Sequence, residues 1–126
     1  MHIHTFLMFE GRAEEAMNFY VSLFPKSRIV DVKWQGKDGP GKEGWVMVAR
    51  FELNGVEYRA IDSTGHAFTF TPSMSLFVEC ETEAELDRLY AALHEKALMP
   101  LGSYGFSRKF GWVNDRFGVS WQMNLA

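Results

Sequence analysis

His2 and His4 stand two residues apart, the spacing that puts two imidazoles on one face of a strand, where they could chelate a cation as a pair. Fraying at the start of a strand gives the same pattern. His66 opens an aromatic stretch, His66-Ala67-Phe68-Thr69-Phe70, and an imidazole titrating near neutrality could act there as a general acid or base; a satisfied histidine on a connecting loop is the competing reading. Arg108 and Lys109, between Phe106 and Phe110, could meet an anionic ligand, because a guanidinium forks onto a carboxylate. A solvent-facing pair on an edge strand is the alternative. Residues 36–43, Gly-Lys-Asp-Gly-Pro-Gly-Lys-Glu, come within one residue of a phosphate-binding loop, but Glu43 stands where Ser or Thr should hold magnesium. A strand is expected to follow at Trp45, whereas a phosphate loop must open a helix, so this segment reads as a mobile hairpin loop. Cys80 falls inside a strand-like run and reads as a buried, inert thiol.

The elements that must position these groups come from an ordinary globular composition. An apolar fraction of 47% with 23% charged residues excludes disorder, collagen-like repetition and a coiled coil. Thirteen Lys and Arg against 16 Asp and Glu give a net charge of −3, which removes the electrostatic footprint of a general nucleic-acid binder. The early apolar run Phe6-Leu7-Met8-Phe9 is far short of the roughly 18 residues needed to span a bilayer, and it lacks the flanks of a secretory signal. A lone cysteine cannot close an internal disulfide, so a cytoplasmic setting is expected. Aromatics are abundant, with 11 Phe, 4 Tyr and 4 Trp; Phe6, Tyr58, Phe68, Phe70, Phe77, Trp112 and Trp121 are to be divided between core and a ligand pocket.

Residues 3–9 read as a buried strand. From Ala13 the apolar spacing changes to Ala13, Ala16, Met17, Tyr20, Leu23 and Phe24, the period of an amphipathic helix that Pro25 must end. Strands are expected over residues 27–34, 45–53 and 56–61, the last two joined by Asn54-Gly55, a pair that tolerates the positive φ of a tight hairpin. The second half restarts with a strand over 74–80. Thr82 with Glu85 then makes a capping-box pattern before a helix marked by Leu86, Leu89, Tyr90 and Leu93. After Pro100 come strand candidates around 105–112 and 118–125. Strand, helix, strands therefore occurs twice, with Tyr20 and Tyr90 at matching points of the two helices.

The segments Phe6-Leu7-Met8-Phe9-Glu10-Gly11, Ala13 through Pro25, and Asp115-Arg116-Phe117-Gly118-Val119-Ser120-Trp121-Gln122 together resemble the PhnB-like proteins of the vicinal oxygen chelate superfamily, which includes glyoxalase I, bleomycin-resistance proteins and extradiol dioxygenases. The resemblance implies an α+β fold, one domain over 1–126, with two βαβββ modules (about 1–71 and 72–126) whose curved mixed sheets surround a cavity, usually completed in a homodimer. Fold does not deliver function in this superfamily. Its metal-using members carry His, Glu or Gln ligands on the first and last strand of each module. Carried onto this sequence, those positions are His4 or Thr5, depending on a one-residue register, then Asp62, Ser75 and Gln122. Asp62 would share a face with Tyr58 and Ala60. Serine and a neutral amide are weak ligands, so no metal is favoured; if one binds, His4, Asp62 and Gln122 would hold it. Some proteins of this type carry a demethylubiquinone methyltransferase label, yet no glycine-rich strand-turn-helix is present to cradle a methyl donor. The expectation is a protein that binds a small molecule in the cavity between the sheets, with His4, Asp62, Ser75, Gln122, Tyr58, Phe77, His66 and Arg108 as candidate ligand contacts. The alternative is a divalent-metal-dependent lyase, isomerase or dioxygenase.

Overall fold

The computed structural model describes residues 1–126, which form two compact units, Met1–Ala67 and Phe68–Ala126.

The first unit runs β1 (Thr5–Phe9), α1 (Ala13–Leu23), β2 (Arg28–Trp34), β3 (Val46–Leu53) and β4 (Val56–Asp62). Its sheet has the order β1-β4-β3-β2, with β1 parallel to β4 and the rest antiparallel. Ala13, Ala16, Met17, Tyr20 and Leu23 form the buried stripe of α1. They share the core with Leu7, Phe9, Ala49, Phe51, Leu53 and Ala60 of the sheet. The Asn54-Gly55 hairpin forms with both residues at positive φ, 50° and 81°, as the dipeptide foretold. Residues 36–44 connect β2 to β3 and wrap around Gln35, whose Oε1 accepts from the Gly41 N–H at 3.3 Å. The Gly44 N–H donates to the Gln35 carbonyl, so this glycine-rich segment is organised by a glutamine side chain and backbone rather than by a helix.

The second unit runs β5 (Leu76–Glu79), α2 (Glu83–Leu93), β6 (Lys96–Gly102), β7 (Lys109–Asn114) and β8 (Ser120–Leu125), in the order β5-β8-β7-β6. The module pattern is thus βαβββ in both halves. Thr82 Oγ1 accepts from the Glu85 N–H at 3.1 Å, as the capping box requires, while the Glu85 carboxylate reaches the Glu81 N–H. Strand β6 was not foreseen from the sequence. It contains Pro100, which removes a ladder donor; the chain tolerates it because β6 is an edge strand with register shifts on both sides of Met99. Strand β7 begins at Lys109, not near Gly105. The preceding residues 105–108 form a bend, with Gly105 at φ +91°.

Candidate functional site

In each unit one sheet face is buried under the helix, and period-two alternation sends the other residues to the distal face. In the first unit the pairing Thr5↔Tyr58, Leu7↔Ala60 and Phe9↔Asp62 sets the helix-side row. Thr5 therefore lies on the helix side, and the distal row is His4, Phe6 and Met8 beside Glu57, Arg59 and Ile61.

That distal row carries a chain of charges. His4 Nε2 lies 3.2 Å from Glu57 Oε2, Arg59 Nη2 lies 3.0 Å from the same oxygen, and Arg50 Nη1 is 3.8 Å from Glu57 Oε1. Arg50 also pairs with Asp31 across the β2–β3 ladder. The Arg59 hydrogen bond, aided by the charges of His4 and Arg50, holds the Glu57 carboxyl below its ordinary range. Asp31 is lowered mainly by its hydrogen bond from Arg50, which is raised in turn. The rings of His2 and His4 stack at 6.0 Å and 10°. Beyond the charges the same face turns apolar, with Phe6 50% exposed.

Asp62 and Tyr58 stand on the opposite side. The Asp62 carboxylate is buried and fully engaged: Oδ1 accepts from the Gly11 N–H at 2.8 Å and the Ala13 N–H at 3.0 Å, and Oδ2 from the Val46 N–H at 3.1 Å. Helix α1 has no cap from its own N-cap residue, Arg12, so a carboxylate from β4 supplies it. Of the two first-strand alternatives, Thr5 shares the face of Asp62 and His4 stands on the other, and the Asp62 oxygens are spent on backbone donors. Tyr58 stacks on Phe51 at 5.6 Å, and burial pushes its phenol upward. His66 lies in the segment that follows β4. Cys80 is buried, and desolvation, with Glu85 nearby, pushes its thiol up to about 11.

In the second unit the pairs Phe77↔Gln122, Trp112↔Gln122, Asn114↔Ser120 and Phe110↔Asn124 fix the distal face. Ser75, just before β5, places its Oγ 2.7 Å from Ser120 Oγ, and Trp112 Nε1 donates to Ser120 Oγ at 2.8 Å. Ser75 and Gln122 thus share a face with Phe77, which is 52% exposed. Phe77 packs at 6.4 Å on Phe110, which Phe106 and Tyr104 meet edge-on at 5.0 and 6.3 Å. Trp112 and Ser120 were not singled out together from the sequence; the tight Asp115–Gly118 turn that brings their strands into register was the available signal. Asp115 Oδ1 accepts from the N–H groups of Phe117 and Val119, and Oδ2 from Trp121 Nε1. Arg108 donates from Nε to the Ala126 oxygen. Lys109 reaches helix α2 instead, pairing with Asp87 at 2.7 Å and Glu83 at 2.9 Å, which raises its ammonium.

No three His, Cys, Asp or Glu side chains are grouped so as to hold a metal ion. No helix is long and apolar enough to cross a membrane.

Residues 1–124 match the protein family described as 3-demethylubiquinone-9 3-methyltransferase. Among solved structures the chain is similar to the PhnB protein of Bacillus cereus, which carries the same description, at 60% identity over 100% of both chains with a TM-score of 0.97. A Pseudomonas aeruginosa protein is 26% identical over 99% of this chain and 97% of its own, with a TM-score of 0.83. A glyoxylase/bleomycin resistance protein/dioxygenase domain from Frankia shares the fold at 14% identity and a TM-score of 0.64, over 100% of this chain and 97% of that one. None of the curated proteins matches.

Proposed function

The chain belongs to the 3-demethylubiquinone-9 3-methyltransferase family, the PhnB-like group of the glyoxalase/bleomycin-resistance superfamily, and from that premise we propose that it binds a small molecule on its distal sheet faces, as a cytoplasmic homodimer. The carrying observation is the distal face of the second unit, where Phe77 remains 52% exposed beside the hydrogen-bonding side chains of Ser75 and Gln122. Apolar surface held next to polar groups is the mixture that ligand sites use. Dimerisation is supported by half-exposed aromatics on both units, Phe6 and Phe106 among them, and the cytoplasmic setting by a single cysteine with no disulfide partner.

Methyl transfer, which the family description names, does not fit the residues present. A methyl donor held in the manner of a nucleotide needs free N–H groups at a strand-to-helix turn. In the β1–α1 turn the Gly11 and Ala13 N–H groups are taken by Asp62, and in the β5–α2 turn those of Glu81 and Glu85 are taken by the capping box. The divalent ion of the superfamily fits no better. His4 is paired with Glu57, Asp62 receives three amides, and Ser75 is bonded to Ser120. No step is derived through either group.

Thermal unfolding in the presence of a chemically diverse library tests the binding reading. A true ligand raises Tm saturably, since about 100-fold excess over Kd adds about 2.7 kcal/mol of stability. A library without one saturable shift counts against the reading, and near-stoichiometric zinc, iron, nickel or manganese in untagged protein would favour the metal-dependent alternative. Sedimentation at low micromolar concentration tests the dimer, which a wholly 14.5 kDa species would defeat.

A further inference from the structure

Trp112, Ser120 and Ser75 form a hydrogen-bonded chain on the distal face of the second unit whose direction follows from chemistry. An indole N–H can only donate, so Trp112 donates to Ser120 Oγ at 2.8 Å. Ser120 is 2% exposed, and its own proton needs an acceptor within the protein; Ser75 Oγ, 2.7 Å away, is the one offered. Were Ser75 the donor, Ser120 would accept twice and leave a buried hydroxyl proton unsatisfied, which is costly. The chain therefore runs Trp112 to Ser120 to Ser75, each bond polarising the next, and it ends on a Ser75 hydroxyl with its proton free to be given away.

What surrounds that proton defines what could take it. Phe77 follows two residues later on the same face, about 7 Å along the strand, and Gln122 is in register with both Phe77 and Trp112. None of Ser75, Phe77, Trp112 and Gln122 is charged; on the same face Lys96 stands on the outer strand β6 opposite Asn114, and the carboxylate of Glu79 lies two residues beyond Phe77, so a neutral oxygen suits the Ser75 end better than a phosphate or carboxylate. Two buried amide oxygens of the same face, Asn114 Oδ1 and Asn124 Oδ1, have no hydrogen-bond partner, a further sign that its polar groups are not all satisfied from within the protein. We propose that Ser75 is an oriented hydrogen-bond donor for a flat, largely apolar ligand bearing a carbonyl-type oxygen, whose ring lies along Phe77. This rests on the small-molecule reading above and narrows it to a ligand class.

The test uses two molecules of one shape, 1-indanone and indane, which differ by the carbonyl. Each is titrated into the full chain, and the indole N–H resonance of Trp112, assigned with Trp112→Phe, is followed by NMR. Indanone should bind the parent about fivefold to tenfold more tightly than indane, the range that one hydrogen bond supplies. Ser75→Ala should erase that preference while leaving indane affinity unchanged. Trp112→Phe, followed through backbone amides, should reduce it partly, because Ser120 then loses its orienting donor. Equal affinity of the two probes for the parent, or a preference that survives Ser75→Ala, overturns the donor role while leaving small-molecule binding standing. Absence of binding by either probe overturns the ligand class, and the broader reading then answers to the library screen alone.

Discussion

The Ala13 amide at the start of α1 donates to the Asp62 carboxylate at the end of β4, 3.0 Å away and 49 residues later in the chain. The same carboxylate holds Gly11 and the start of β3 at Val46, so one side chain fastens a helix N-terminus, the β1–α1 turn and a central strand. Asp62→Ala leaves these donors without a partner in a largely dry site. A loss of about 3–5 kcal/mol is expected in urea unfolding at pH 7, from the cost of unsatisfied buried donors. Asp62→Asn keeps one acceptor oxygen and should lose less. A variant within 1 kcal/mol of the parent would contradict the capping role.

Gly111 on β7 faces the ring of Tyr90 on α2. A Cβ built there would stand 2.8 Å from Tyr90 Cδ2, closer than real contacts allow. Gly111→Ala is therefore expected to destabilise by about 1–3 kcal/mol through overpacking. In a Tyr90→Ala background the same change should cost far less. The double-mutant cycle in denaturant measures the coupling, and additive effects would show that the close approach carries no strain.

The Glu57 and Asp31 carboxyls are held below their ordinary values by Arg59 and Arg50. A folded value below the unfolded one gives stability that is present above the unfolded pKa, near 4, and lost as pH falls through the folded value. Both pairs are solvent-facing, so the effect is modest and screened by salt. Glu57→Gln should lower Tm slightly at pH 7, and its difference from the parent should shrink toward zero as pH falls from about 5 to 3. A difference independent of pH would mean that Glu57 acts through packing alone.

Cys80 should be inert in the folded chain. Its thiol is buried and pushed up to about 11, so little thiolate exists at pH 8. Reaction with a disulfide reagent such as DTNB is expected to be slow in native protein and immediate in 6 M guanidinium. Rapid reaction under native conditions would show that this strand edge opens readily.

The duplicated βαβββ order was legible because both helices carry strong 3.6-residue stripes and sharp punctuation, Pro25 after α1 and the Thr82–Glu85 box before α2. Strand β6 was hidden by Pro100, which reads as a breaker unless the strand is known to be an edge. The faces were harder. Tyr58, Ala60 and Asp62 could be placed on one side of β4 from alternation, but Ile61 and Ala60 are both apolar, so nothing local says which side meets the helix. Choosing between His4 and Thr5 needed the Thr5↔Tyr58 pairing, a contact between strands more than 50 residues apart. The convergence of Glu57, Arg59 and Arg50 is not legible in the sequence, because each alone looks like a solvated surface residue. The Trp112–Ser120–Ser75 chain likewise depends on pairings that no short window contains.

Ligand binding on the distal faces is tested most directly by amide chemical-shift mapping with any compound that raises Tm saturably in the library screen. Shifts are predicted to cluster at distal residues, Ser75, Phe77, Trp112 and Gln122 in the second unit or Phe6, Met8 and Ile61 in the first. Helix-side residues such as Ala16, Ala60 and Met123 should stay unmoved. Saturable binding whose shifts centre on the helices or on the 36–44 loop, with the distal residues unchanged, would contradict the placement of the site.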